Sequence, residues 1–303
     1  MDDDEPTVRS RELGLALQRA MQVAGMNQSA LAYKLEWTPS RVSRMLSGKR
    51  RVSLLDMSAA LAVLDITGPK RRELLRLASD AARPGWWQEY GDRLPAELRT
   101  LSDHENAAIG ITSFETTVIP GLLQTADYTA ALMAVAPSIP REEVGERMRA
   151  RQRRKEVFER EHPATFRFFV DEYVVRRTGA GRKIMSGQVH HLLQMSVRPN
   201  VEIRVIPDAV GFHAAFRPFH LMEFTEIGPV VHIEDQTSVL FLERTDTIAA
   251  YRRTVTALSR VALDEGHSRA WLANVASELG EPREEHHAHR PAGIYELEEK
   301  LME

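Results

Sequence analysis

The sequence predicts a multi-domain chain: an all-α domain of short helices, then a larger α+β domain, with α/β as the other reading of the second part. Three observations lead there. Through residues 9–83 apolar side chains recur at spacings of three and four, and glycines punctuate the runs. Beyond residue 165 the pattern changes to short β-rich runs separated by helices. Between the two, Arg83-Pro-Gly-Trp-Trp87 ends the last helix with Pro and Gly. The expected units are residues 1–83, residues 84–279, and a polar, mobile tail over 280–303.

Composition sets the bounds. With 303 residues, 43% apolar and 27% charged, the chain is long enough for two cored domains. No run of 18 apolar residues occurs, and Met1-Asp-Asp-Asp-Glu5 is acidic where a signal peptide is basic, so a soluble, cytoplasmic protein with no membrane segment is expected. The absence of cysteine excludes disulfides, thiolate nucleophiles and Cys-ligated zinc. The formal net charge is −3, yet Pro6 to Arg83 carries 14 Lys plus Arg against 6 Asp plus Glu. A basic N-terminal domain on an acidic remainder is the footprint of a polyanion-binding module.

Within that domain, residues 9–24 form an amphipathic helix through Leu13, Leu17, Ala20 and Met21, stopped at Gly25. Asn27 then caps a helix over 28–35. Thr38 caps a third over 39–47, with Pro39 at its first position, where the missing N–H costs nothing, and Gly48 as its stop. Helices over 54–64 and 69–82 complete the bundle. Val42, Met45 and Leu46 give the third helix its buried face, leaving Ser40, Arg41, Ser43, Arg44 and Ser47 outside. Only about three residues join the second helix to the third, a connection that sets two helices steeply across each other. Arg41, Arg44, Lys49, Arg50 and Arg51 place five cations in eleven residues with no acid among them. In isolation such a run is usually a solvated face. Beside a helix-turn-helix pattern it suits duplex phosphates, with the third helix in the major groove.

The phrases Gly25-Met-Asn-Gln28-Ser-Ala-Leu-Ala32 and Thr38-Pro-Ser-Arg-Val-Ser-Arg-Met-Leu-Ser-Gly48-Lys-Arg-Arg51 resemble the xenobiotic-response-element (XRE) family of helix-turn-helix regulators, relatives of the phage repressors. The resemblance implies a lambda-repressor-like fold over residues 9–64. It also implies that Gln28 bonds a phosphate, that Thr38, Pro39, Ser40 and Arg44 face bases or the adjacent backbone, and that Arg41, Lys49 and Arg51 meet phosphate. Pro39 stands where many relatives carry a hydrogen-bond donor, which shifts base reading onto Ser40 and Arg44. A homodimer on double-stranded DNA with a palindromic operator is expected, because one short helix reads too few base pairs.

In the second part, residues 103–136 read as helical at both ends around a kinked loop at Val118-Ile-Pro-Gly-Leu-Leu-Gln124. Residues 140–161 read as a charged helix, solvated or facing a dimer partner. Strands are expected over 165–175, 201–207, 219–224, 230–234 and 239–242, with helices over 182–197, 246–263 and 267–279. The phrases Gly85-Trp-Trp87, Val118 to Thr125 with Tyr128, Arg198-Pro-Asn-Val201, Gly211-Phe-His213 and Tyr251-Arg-Arg253 resemble the C-terminal domain of unknown function in a large group of actinobacterial, antitoxin-like XRE regulators. That likeness implies a domain that senses a small-molecule effector or associates with a short partner protein encoded nearby.

No Gly-x-Ser-x-Gly, Walker loop or Gly-x-Gly-x-x-Gly is present, so no enzyme and no cofactor is expected. His213, His220 and His232 fit no metal-ligand spacing, and His286-His287-Ala-His289 in the tail offers weak adventitious affinity at most. Trp86 and Trp87 are expected to pack at the domain joint; the alternative is an effector pocket shared with Phe212 and Phe216.

Overall fold

The computed structural model describes residues 7–49, 52–83, 85–90, 93–136, 139–235 and 238–280. Arg50 and Arg51 lie outside the described residues, as does the tail from residue 281 with its histidines.

The N-terminal domain comprises α1 (Val8–Val23), α2 (Gln28–Lys34), α3 (Pro39–Leu46), α4 (Leu54–Val63) and α5 (Gly68–Ala82). Local chemistry sets the helix starts. The side chains of Thr7, Asn27, Thr38 and Ser53 each accept a hydrogen bond from the backbone N–H three residues on, which satisfies one of the orphan donors of the first turn. Gly25 and Gly48 end α1 and α3 at φ of +63° and +74°. Leu13, Leu17, Met21, Leu31, Val42, Met45, Leu46, Met57, Leu61 and Leu74 bury their side chains in one core.

The larger domain opens with α6 (Trp86–Tyr90) and α7 (Ala96–Ala107), then β1 (Gly110–Glu115), α8 (Ala126–Ala134) and α9 (Arg141–Arg154). It continues through β2 (Thr165–Asp171), α10 (Glu172–Arg176), α11 (Arg182–Met195), β3 (Val201–Ile206), β4 (Phe219–Glu223), β5 (Val230–Asp235) and β6 (Ser238–Leu242), and closes with α12 (Thr245–Val261) and α13 (Glu265–Gly280). The six strands form one sheet ordered β3-β2-β1-β4-β5-β6. β1, β2 and β3 run parallel, whereas β4, β5 and β6 pair antiparallel. That mixture makes the domain α+β rather than α/β. Alternation along the strands sends Ile111, Phe166, Phe168, Ile203 and Met222 to one face with Leu192 and Leu272 of the helices. Phe114, Phe169, Phe219 and Val231 go to the other face, under Ile248 and Leu258 of α12.

Three expectations need correction. The segment 103–136 contains β1, a central strand, so it is not helix and loop alone. Ser113 and Glu115 are buried on it beside Ile111 and Phe114, so β1 carries no polar-out alternation to reveal it. The strand expected over 165–175 stops at Asp171, whose carboxylate caps α10 by accepting from the Tyr173 N–H. The charged helix expected over 140–161 ends as α-helix at Arg154, and it is not simply solvated: Ala150 and Arg154 are buried. Among the described residues, no helix is long and apolar enough to cross a membrane.

Helix α1 belongs to both halves. Val8 sits in the core of the larger domain, and its N–H donates to Asp103 Oδ2 at 2.7 Å. One turn on, the buried Glu12 carboxylate accepts from the backbone N–H groups of Thr225 and Glu226, 3.0 Å each. Arg19 then pairs with Glu226. Burial raises the Glu12 pKa, opposed by the N–H bonds from Glu226 and Thr225 and assisted by the Glu226 charge. A raised folded-state pKa means that the stabilisation is fully present below the unfolded value and is lost as pH rises through the folded one. Glu12→Gln keeps an acceptor oxygen without the buried charge. Thermal unfolding is therefore expected to show the variant more stable than the parent at pH 7 and equal to it near pH 4; the reverse order would refute the buried-carboxylate account.

Candidate nucleic-acid interface

The turn between α2 and α3 is closed by two backbone bonds, Glu36 N–H to Tyr33 O at 3.1 Å and Trp37 N–H to Ala32 O at 2.9 Å. Glu36 adopts φ of +55°, a left-handed conformation that such a helix end uses and that glycine more often supplies. From this turn α3 starts at Pro39, with the Thr38 hydroxyl accepting from the Arg41 N–H at 3.3 Å. Val42, Met45 and Leu46 hold the inner face of α3 in the core. The outer face presents Pro39, Ser40, Ser43, Arg44 and Ser47, all exposed, and Lys49 follows just past Gly48. Gln28, at the first position of α2, is exposed as well.

Most of the residues expected at a DNA surface thus share one exposed region, and two of them have other work. Thr38 spends one of its two acceptor lone pairs on the cap, which leaves its O–H and one lone pair to turn outward. Arg41 is the larger departure. Its guanidinium donates to Asp56 Oδ1 at 2.8 Å and lies 4.0 Å from the centre of the Trp37 ring, so it braces α3 against α4 with its charge neutralised. Among the described residues no ion pair engages Arg44 or Lys49, so both add unneutralised positive charge to the surface. Asp56 escaped the sequence reading because it lies fifteen positions from Arg41 and only folding brings them together. Tyr33 and Lys34 also extend the exposed side of α2; the spacing of Ala30, Leu31 and Leu35 already places Tyr33 opposite the buried face.

Trp86 and Trp87 are buried in a cluster that does not include Phe212 and Phe216, the other two residues of the alternative effector pocket. Both tryptophans are consumed by packing, with ring centroids 5.9 Å apart edge to face in a cluster with Leu94 and Ala150. Phe212 and Phe216 are 101% and 81% exposed and belong to no such cluster.

This arrangement is that of a helix-turn-helix protein carrying a mixed-sheet α+β domain. A family model described as a helix-turn-helix domain matches residues 12–74. A second, described as a domain of unknown function (DUF5753), matches residues 98–274, more than half of the chain, and the chain belongs to that family. No curated protein and no solved structure matches it.

Proposed function

We propose that the protein is a sequence-specific DNA-binding transcriptional regulator of XRE type, without catalytic activity, that lays α3 in the major groove as a cytoplasmic homodimer on a palindromic operator. The observation that carries this reading is the outer face of α3: small side chains at Pro39, Ser40 and Ser43 permit close approach, and Arg44 projects beside them with no counter-ion among the described residues. Gln28 and Lys49 flank that face and suit phosphates on either side, which position the helix without reading sequence. Arg41 supports the surface from behind.

Arg44→Ala tests the assignment. The expected loss is about 1–3 kcal/mol on the operator and much less on random duplex, measured by fluorescence polarisation. An equal loss on both DNAs would reduce Arg44 to a phosphate contact.

A second reading, an antitoxin-like module that binds a short partner protein and regulates its own gene, draws support from Phe212 and Phe216, two large apolar side chains turned to solvent in the larger domain. Co-purification with the product of the neighbouring gene separates the readings: Phe212→Ala with Phe216→Ala abolishes association if this surface is the contact and leaves it intact otherwise.

A further inference from the structure

Helix α9 turns three arginines to one side, Arg147, Arg151 and Arg154, at spacings of four and three. All three line a cavity of about 420 Å³ between α7, α9 and the β5–β6 hairpin, within the size range of small-molecule sites. The arginines differ in what they already hold. Arg154 donates two bonds to the Glu105 carboxylate, at 2.8 and 2.6 Å, and Arg147 donates two to Glu143, at 3.0 and 2.8 Å. Arg151 donates once, at 2.9 Å, to the neutral amide oxygen of Gln124, and among the described residues it has no ion pair. Four of its five N–H groups are left for another acceptor. Burial, reinforced by the nearby Arg154 charge and only partly offset by Glu234, Glu105 and Glu115, holds its pKa down to about 10.

The rest of the lining completes a two-part site. His232, 1% exposed, has no partner for Nδ1 among the described residues. It is kept neutral by burial and by the neighbouring His220, with its pKa lowered to about 2. Leu98, Leu101, Met133 and Val239 supply an apolar wall. The acids of the lining, Glu97, Glu234 and Asp235, are exposed and form an acidic rim, of which Glu234 is near enough to act electrostatically on Arg151 and Arg154.

We propose that this cavity binds a small organic carboxylate with an apolar body, the carboxylate seated on Arg151 and the body against Leu98, Leu101, Met133 and Val239. The acidic rim disfavours a second negative group at the outer end of the ligand, so a monoanion is selected. The site lies beside the domain joint: Leu101 lines it, and two residues further along α7 Asp103 receives the Val8 N–H of α1.

The test uses the full chain without DNA, so its outcome is independent of the DNA-binding reading. Benzoate, 3-phenylpropionate and indole-3-acetate, each beside its neutral amide, are titrated by calorimetry and by ligand-observed NMR. At least one acid is expected to bind saturably at one per chain, its amide at least about tenfold more weakly. Arg151→Met is expected to bring the acid down to the level of its amide. Val239→Trp, on the outermost strand of the sheet, is expected to block both while leaving Arg151 in place, and it decides the matter if Arg151→Met fails to fold. The proposal is overturned if none of the three acids saturates, if acid and amide bind alike, or if Val239→Trp retains full affinity.

Discussion

Gly14→Ala is expected to cost roughly 3 kcal/mol or more of folding stability and to remove DNA binding with it. At an ordinary helix position the same change stabilises, by up to about 1 kcal/mol, because alanine is the better helix former. Here α1 and α3 cross with almost no space between their backbones. A Cβ on Gly14 would stand 2.1 Å from the carbonyl oxygen of Leu46 and 2.8 Å from its carbonyl carbon. Both are backbone atoms, so no flexible side chain can swing aside, and the last turn of α3 has to move. That carbonyl is also the acceptor for Gln18 Nε2 at 3.2 Å, a bond that displacement breaks. Urea denaturation measures the effect directly. An alanine variant as stable as the parent would mean that the two helices are not this close.

Glu105→Ala is the second large effect, with an expected cost of about 3–5 kcal/mol. Glu105 is 1% exposed and Arg154 5%, and the carboxylate takes both guanidinium bonds of that arginine. Removing the acid leaves a cation in the interior with only the Glu234 charge, to which it makes no ion pair, to offset its lost hydration. Replacing both partners removes the unpaired charge, so Glu105→Ala with Arg154→Leu is expected to be more stable than Glu105→Ala alone. A single-variant cost below about 1 kcal/mol would show that water reaches the pair.

Legibility in the sequence followed the range of the interactions. The N-terminal helices were readable almost to the residue, because their limits are set by local chemistry: Asn27 and Thr38 as caps, Pro39 at a first position, Gly25 and Gly48 as stops. The outward face of α3 followed from the inward spacing of Val42, Met45 and Leu46. What failed was non-local. Arg41 looked like one more surface cation until Asp56 and Trp37 claimed it. β1 is buried with Ser113 and Glu115 in its sequence, so it resembles neither an amphipathic strand nor a plain apolar one. The mixed charges of α9 read as solvated, and only the fold shows that Arg154 is inside and Arg151 lines a cavity. The proposed pocket was missed for the same reason, since its walls come from segments more than a hundred residues apart in the chain.

The central claim is that α3, with Arg44, Lys49 and Gln28 around it, binds duplex DNA. Its most direct measurement is the affinity of the full chain for the duplex upstream of its own gene, set against random duplex across a salt series. Tighter binding to the upstream duplex is expected, with a linear fall of log affinity with log salt at a slope of roughly −0.9 for each phosphate contacted. Absent binding, or affinity that ignores both salt and sequence, would contradict it.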